Sequence, residues 1–111
     1  AGMRVLTESD TVKKLRRDTM QFITLNHPVD CGICNKSGEC LLQDYHYEHN
    51  GRPSLSIDRK NHATKFYPLS DRIMLDNERC IMCTRCVRFT HEVSKTHALG
   101  AVHRGDHSLI R

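Results

Sequence analysis

HPVDCGICNKSGEC at residues 27–40 and CIMCTRC at residues 80–86 contain all six cysteines of this 111-residue chain. The cysteines form two triplets, Cys31-x2-Cys34-x5-Cys40 and Cys80-x2-Cys83-x2-Cys86. Disulfide frameworks usually spread cysteines along a chain to close loops, whereas two-residue gaps are typical of thiolates that surround a metal. The spacing therefore favours two metal-binding segments over three disulfides.

The composition points to a thin core that needs such metal support. Only 38% of the residues are hydrophobic and 5% are aromatic, and Trp is absent. Small chains bury a smaller share of their surface than large ones. With 17 basic and 13 acidic residues the net charge is +4, and the two signs are interspersed. This pattern argues weakly for an acidic partner or cofactor and against a nucleic-acid-binding arm.

Targeting and membrane signals are missing from the sequence. No run approaches the roughly 18 consecutive apolar residues of a membrane span. The first residues, AGMRVLTESD, do not resemble a signal peptide, so we expect a reducing compartment, which favours metal-bound over disulfide-bonded cysteines. They read as the interior of a longer polypeptide, of which we expect this chain to be an internal fragment.

The second triplet is typical of the start of a [4Fe–4S] site, C-x2-C-x2-C-x3-C-P. Zinc sites, the alternative, favour pairs of ligands, and a third cysteine at this spacing crowds a tetrahedral centre. Thr90 stands where the fourth cysteine of that run is expected. The fourth ligand must therefore lie beyond Arg111 or be a non-cysteine donor. Four nearby histidines are more simply surface or packing residues: His91, His97, His103 and His107.

The first triplet follows a histidine, in the pattern His27-x3-Cys31-x2-Cys34-x5-Cys40. The Asn-His-Pro turn fixes His27 just before three thiolates that need a fourth partner. We therefore expect His27 to ligate the same cluster. A purely structural histidine and a zinc site made from the same four ligands are the alternatives.

Hydrophobic periodicity predicts two helices in the first part of the chain. Residues 7–26 suit a helix with a capping box from Thr7 to Asp10, ended by Pro28. Its expected inward stripe is Val12, Leu15, Met20, Phe22, Ile23 and Leu25, with a solvated basic face of Lys13, Lys14, Arg16 and Arg17. Residues 40–49 suit a short helix, followed by a turn at 50–53, with these side chains inward: Leu41, Leu42 and Tyr45.

The second part of the chain predicts short elements. Residues 54–70 read as loop with short strands, 72–75 as a strand, and 84–95 as a helix leaving the second triplet. Residues 101–110 read as a hairpin with a two-residue turn at Gly105 and Asp106.

Both cysteine segments resemble a known family. HPVDCGICNKSGECLLQD resembles the histidine-plus-three-cysteine signature of the large iron–sulfur subunit of complex I, which also occurs in iron-only hydrogenases, some formate dehydrogenase alpha subunits and NAD-reducing hydrogenases. ERCIMCTRCVRFTHEVSKTHALGAVHRGDHSLI resembles the next segment of that family. Thr90 departs from the hydrogenase pattern and favours the complex I subunit, whose fourth cysteine lies well downstream.

The resemblance implies an α+β fold made of a histidine-ligated [4Fe–4S] domain over residues 1–70 and the start of a ferredoxin-like [4Fe–4S] segment over 71–111. It also implies relay of electrons from NADH and flavin toward quinone, beside a flavin- and NADH-binding subunit, with no nucleic acid and no membrane span of its own. The expected location is the cytoplasmic face of the inner membrane in bacteria, or the matrix side in mitochondria.

Other features of the sequence agree with a relay rather than a catalytic site. No G-x-G-x-x-G loop and no hydrolase frame is present, so we expect no catalytic residue in this segment. Four cations beside the ligands either balance cluster charge or are simply solvated: Lys36, Arg79, Arg85 and Arg88. The alternatives are an accessory region of a hydrogenase or formate dehydrogenase, and a structural zinc-binding interaction module.

Overall fold

A computed structural model describes residues 2–52 and 54–111. The chain divides into two compact units. The first unit comprises the described residues of Ala1–Leu25 and Val29–Asp58, and the second comprises Asn26–Pro28 and Arg59–Arg111. Of the turn expected at 50–53, Pro53 lies outside the described residues. The segment Asn26–Pro28 therefore leaves the unit that precedes and follows it in sequence.

Helix α1 (Asp10–Thr24) begins the first unit, later than the sequence indicated. Ser9 is its N-cap, and the Ser9 hydroxyl accepts a hydrogen bond from the Val12 amide at 3.4 Å. The capping box expected from Thr7 was therefore wrong. Ser9 has the extended backbone (φ −67°, ψ 156°) that aims a side-chain oxygen at the free amides of the first turn.

The buried face of α1 is narrower than the expected apolar stripe. Met20 is 5% exposed and Thr24 is 4% exposed, and the Thr24 hydroxyl donates to the Met20 carbonyl at 2.7 Å. Leu15 and Phe22 are 58% and 78% exposed, contrary to expectation. Residues four apart share a helix face, whereas Phe22 is two positions from Met20 and points away.

Helix α2 (Leu41–His49) packs on α1 within the first unit. Its buried side chain is His46, while Leu41 and Tyr45, which were expected inward, are exposed. Leu42 is half-buried, as expected, because it lies four positions before His46 on the same face. The packing side of this helix is therefore more polar than the sequence indicated.

Polar contacts close the helix pair. Gln21 Nε2 donates to Asn50 Oδ1 at 2.8 Å, and Gln21 Oε1 accepts from the Leu55 amide at 3.1 Å. Gly51 has φ +56°, and its amide donates to the His46 carbonyl at 2.6 Å. This left-handed residue ends α2 at the expected turn.

Two small antiparallel sheets lie in the second unit. Strands β1 (Tyr67–Pro68) and β2 (Met74–Leu75) pair with Tyr67 opposite Leu75, and β3 (Ala101–Val102) and β4 (Leu109–Ile110) pair with Ala101 opposite Ile110. The strand expected within 72–75 and the hairpin over 101–110 are confirmed.

The hairpin does not have the two-residue turn that was expected. Residues 103–108 connect β3 to β4, and they include a 3-10 turn at Gly105–His107. His103 has φ +62°, so the chain leaves the extended conformation directly after Val102 and strand pairing stops there.

The helix after the second triplet is shorter than residues 84–95. Helix α3 (Arg85–Arg88) continues into a π-helical turn at Phe89–Val93. Thr84 has φ +57° and Lys95 has φ +56°, and such left-handed residues cannot continue a right-handed helix.

The hydrophobic core is as thin as the composition predicted. Among the described residues, the buried hydrophobic side chains are Met20 in the first unit and Ile110 in the second. The buried polar residues are Thr24, His46, Asn77 and Glu78. The architecture is the mixed α+β fold that was expected. In the part of the chain that the structure describes, no helix has both the length and the apolar character of a membrane span.

Candidate metal centre

The first cysteine triplet is built from consecutive tight turns in the first unit. Cys31 opens a 3-10 turn (Cys31–Ile33), and the Cys34 amide donates to the Cys31 carbonyl at 3.2 Å. The Ser37 amide donates to the Cys34 carbonyl at 3.1 Å, and Gly38 has φ +81°. Cys40 then precedes α2 as its N-cap. All three thiols are half-buried and free.

Gly38 and Lys36 define the segment between the second and third cysteines of this triplet. The Gly38 amide donates to Gln43 Oε1 at 3.1 Å, which ties the turn to α2. The Lys36 ammonium group lies 3.4 Å from Glu39 Oε2, and both side chains are exposed. Lys36, expected to balance cluster charge or to be solvated, has an acidic partner of its own in an exposed pair, which contributes little stability.

His27 belongs to the second unit, together with its neighbours Asn26 and Pro28. Lys60 Nζ donates to the His27 carbonyl at 2.7 Å, and the Asn61 amide donates to Asn26 Oδ1 at 3.1 Å. The structure thus places His27 in one unit and the first triplet in the other.

The second triplet curls because its backbone alternates in handedness. Met82 has φ +54° and Thr84 has φ +57°, one on each side of Cys83. The Met82 amide donates to Cys80 Sγ at 3.4 Å. Successive amides of such a curl face one concave side, which is how short loops bind anionic groups. Cys80 is half-buried, whereas Cys83 and Cys86 are exposed.

The electrostatics of Cys80 show that the three thiols of the second triplet lie near one another. Burial raises the pKa of the Cys80 thiol, the Met82 amide opposes this, and the charges of Cys86 and Cys83 raise the pKa further. Thiolates that repel one another in this way are stabilised by a shared cationic centre. The donor set and its placement therefore fit an iron–sulfur cluster.

Tighter metal geometry is not present in the described residues. Within residues 2–52 and 54–111, no group of three or more His, Cys, Asp or Glu side chains is gathered closely enough to hold a single metal ion. A [4Fe–4S] cluster carries one protein ligand on each iron, so its ligands lie farther apart than those of one ion. The loosely spaced thiols of residues 80–86 are compatible with that wider arrangement.

A buried ion cluster supports the segment that enters the second triplet. Glu78 contacts His62 Nδ1 through one carboxylate oxygen and lies 2.6 Å from Lys65 Nζ through the other. Asp76 Oδ1 accepts hydrogen bonds from the amides of Glu78 and Arg79, at 3.0 Å and 3.3 Å. No sequence signal pointed to His62 or Lys65, since neither belongs to a motif.

The cations proposed to balance cluster charge differ in their surroundings. Arg79 Nε lies 3.5 Å from Asp76 Oδ2, so its charge is paired within the loop that precedes Cys80. Arg85 and Arg88 are exposed on α3. Nothing in these contacts reserves the three arginines for a cluster.

Comparison with known protein families matches both cysteine segments. Residues 16–53 match the NADH-ubiquinone oxidoreductase-G iron-sulfur binding region, which includes His27 and the first triplet. Residues 70–111 match the ferredoxin-like domain of NADH-quinone oxidoreductase subunit 3, which includes the second triplet. Iron–sulfur binding and the ferredoxin-like character of the second segment agree with the sequence prediction.

Full-length relatives are similar over nearly all of the chain. The G-type subunit of the NADH-quinone oxidoreductase of Rickettsia felis is 38% identical over 109 residues, which are 98% of this chain and 16% of that protein. Subunit 3 of the Thermus thermophilus enzyme is 38% identical over 122 residues, with the same shares. The mitochondrial NADH dehydrogenase [ubiquinone] iron-sulfur protein 1 of Solanum tuberosum is 39% identical over 94% of this chain and 14% of its own. The chain thus spans about one sixth of these relatives.

A solved structure has the same fold. An NAD+-reducing [NiFe]-hydrogenase in the H2-reduced state superposes with a TM-score of 0.83 at 30% identity, over 98% of this chain and 46% of that one. The resemblance inferred from the two cysteine segments is confirmed. Over the residues that the two family models match, the chain belongs to the NADH-quinone oxidoreductase-G family of iron–sulfur proteins.

Proposed function

We propose that this chain relays electrons through two [4Fe–4S] clusters in an NADH-quinone oxidoreductase. The first cluster, in a domain of residues 1–70, is held by His27, Cys31, Cys34 and Cys40. The second, in the segment 71–111, is held by Cys80, Cys83 and Cys86 with a fourth ligand from outside residues 1–111 or from a non-cysteine donor. The observation that carries the proposal is that each thiol triplet falls inside a segment matched by an iron–sulfur family model.

The protein's part in this function is to hold the clusters rigidly and to set their potentials. A bound cluster supplies one-electron oxidation and reduction with little movement of protein atoms. The turns at Cys31–Ile33 and around Gly38 fix the first three thiols, and the left-handed Met82 and Thr84 fix the curl of the second triplet. Charge and hydrogen bonds around each cluster then tune its reduction potential.

The partners that we propose follow from the names of the relatives. These are subunits of NADH-quinone oxidoreductases, so a flavin- and NADH-binding subunit would deliver the electrons and the other clusters would pass them toward quinone. The proposed location is the peripheral arm, on the cytoplasmic face of the bacterial inner membrane or on the matrix side in mitochondria.

Metal analysis of the anaerobically purified full-length protein tests the proposal. We expect iron and acid-labile sulfide, a brown colour with broad visible absorbance, and two separable [4Fe–4S] signals in electron paramagnetic resonance (EPR). Zinc has a filled d shell and gives neither colour nor EPR signal. A colourless protein with stoichiometric zinc and no iron contradicts the relay and supports a structural zinc module.

A hydrogenase-associated relay is the second candidate, and the solved hydrogenase structure favours it. Thr90, at the position of the local fourth cysteine, argues for the quinone oxidoreductase. Purification of the native complex separates the two candidates, because the first predicts NADH-dependent quinone reduction and the second predicts hydrogen-dependent NAD+ reduction.

A further inference from the structure

Two adjacent residues of the second unit bind two adjacent residues around His27. Lys60 Nζ donates to the His27 carbonyl at 2.7 Å, and the Asn61 amide donates to Asn26 Oδ1 at 3.1 Å. These bonds join parts of the chain that are 33 and 35 residues apart in sequence. Because they act on consecutive residues, they hold the Asn26–His27 segment at two points and restrict its rotation.

The Asn61 side chain extends this contact to the loop between β3 and β4. Asn61 Nδ2 donates to Asp106 Oδ2 at 2.7 Å. Asp106 lies in the 3-10 turn Gly105–His107, and His107 Nε2 lies 3.7 Å from its other carboxylate oxygen. The RGDH sequence at 104–107, which the electron relay itself does not use, therefore holds the residue that holds the His27 segment.

The chain just after His27 has a conformation that needs such support. Val29 has φ +46°, and a β-branched residue in the left-handed region is a strained outlier. Strain of this kind persists only where surrounding contacts determine the conformation. The bonds from Lys60 and Asn61 fix the chain two and three residues before this position.

We propose that Lys60 and Asn61 are positioning residues for His27, and that the charge of Lys60 raises the reduction potential of the histidine-ligated cluster. This inference rests on the proposed function, in which His27 is a cluster ligand. Residues that bind a ligand residue orient its ring and modify the metal centre. A cation near a cluster favours the reduced state, because reduction makes the cluster more negative.

Redox titration monitored by EPR tests this role in the complete complex. Lys60→Met removes the charge and the hydrogen-bond donor but keeps most of the side-chain length. We expect a more negative midpoint potential and altered g-values for the histidine-ligated cluster, with the second cluster unchanged. Lys60→Arg, which keeps a cationic donor, should restore both. Lys14→Met on the exposed face of α1 is the matched control and should change neither cluster.

The result that overturns the inference differs from the one that overturns the proposed function. If Lys60→Met leaves the potential and the g-values of that cluster unchanged, while His27→Ala abolishes its signal, then Lys60 has no positioning role and His27 remains a ligand. If His27→Ala leaves the signal intact, the ligand assignment fails and the inference fails with it.

A measurement on the unmodified complex covers the case in which Lys60→Met does not assemble. Hydrogen–deuterium exchange should be much slower at the Asn61 amide than at the amide of the exposed Arg59. Asn26→Leu, which removes the acceptor, should speed exchange at Asn61. Exchange at Asn61 as fast as at Arg59 in the unmodified complex overturns the inference.

Discussion

The carboxylate of Glu78 lies 2.6 Å from the ammonium group of Lys65, and the Glu78 side chain is only 5% exposed. A hydrogen bond with His62 and a second with Lys65 lower the pKa of Glu78, while burial acts in the opposite direction. Glu78 stands two residues before Cys80, so these contacts fix the start of the second triplet. A buried carboxylate in this position is stabilising only while its partners are present.

Glu78→Gln should lower the free energy of unfolding by about 2 kcal/mol, because it weakens hydrogen bonds made to a charged, buried acceptor. Chemical denaturation measures this, and a double-mutant cycle with Lys65→Met isolates the pair from other effects. Glu92→Gln, at an exposed glutamate, is the control and should change stability by less than about 0.5 kcal/mol. Equal effects at both positions would contradict a role for the buried ion cluster.

Ser9→Ala should destabilise α1 by about 1 kcal/mol, because it removes the side-chain acceptor for the Val12 amide. Thr7→Ala is the matched control, since Thr7 precedes the cap and should have almost no effect. Thermal unfolding followed by circular dichroism compares the two variants. A larger loss for Thr7→Ala would restore the capping box that the sequence suggested.

Asn61→Ala should raise the pKa of Asp106 toward its ordinary value of 3.8. The hydrogen bond from Asn61 is the main cause of the lowered pKa, followed by the charge of His107. A lowered folded-state pKa means that this bond stabilises the fold above pH 3.8, and that the contribution is lost as the pH falls through the folded-state value. Carboxyl NMR titration reads the pKa directly. Asn35→Ala, in the other unit, should leave it unchanged.

His27→Cys should retain a [4Fe–4S] spectrum with a lower potential, because a thiolate adds a negative charge that the neutral imidazole does not carry. His27→Ala should lose or degrade that cluster. Iron content and EPR compare the two variants in the full-length protein, with His91→Ala as the control. An unchanged cluster in His27→Ala would remove His27 from the ligand set.

Cys40→Ala and Cys83→Ala should each remove one cluster and leave the other. Bound metal and folding are linked, and the core is thin, so each variant should also lower the unfolding temperature. EPR of the reduced protein identifies which signal disappears. Loss of the same signal in both variants would contradict two separate clusters.

The sequence predicts elements well where the information is local. The α2 range of Leu41–His49 was expected almost residue for residue, because Cys40 and Gly51 bound a short periodic segment. Which face is buried was not predicted: His46 is inward and Leu41 is exposed, since only the packing of α1 selects the face. Similarly, Thr7 and Ser9 are both acceptable caps by residue type, and backbone geometry decides between them.

The candidate ligands could be read from spacing, because thiolates that share a cluster must lie on one short loop. The residues that hold those loops could not. Lys60 binds a residue 33 positions away, and Glu78 binds His62, 16 positions away, so no short pattern contains either pair. These contacts form through tertiary folding, to which spacing rules do not apply.

The passage of Asn26–Pro28 into the second unit sets a lower limit for any miniaturised version of this protein. A synthetic peptide that copies residues 27–40 would include all four proposed ligands of the first cluster. It would omit Lys60 and Asn61, and with them the hydrogen bonds that hold the histidine segment. A designer who transplants this cluster to another scaffold must therefore transfer residues 59–61 as well, or build equivalent donors at the same two acceptors.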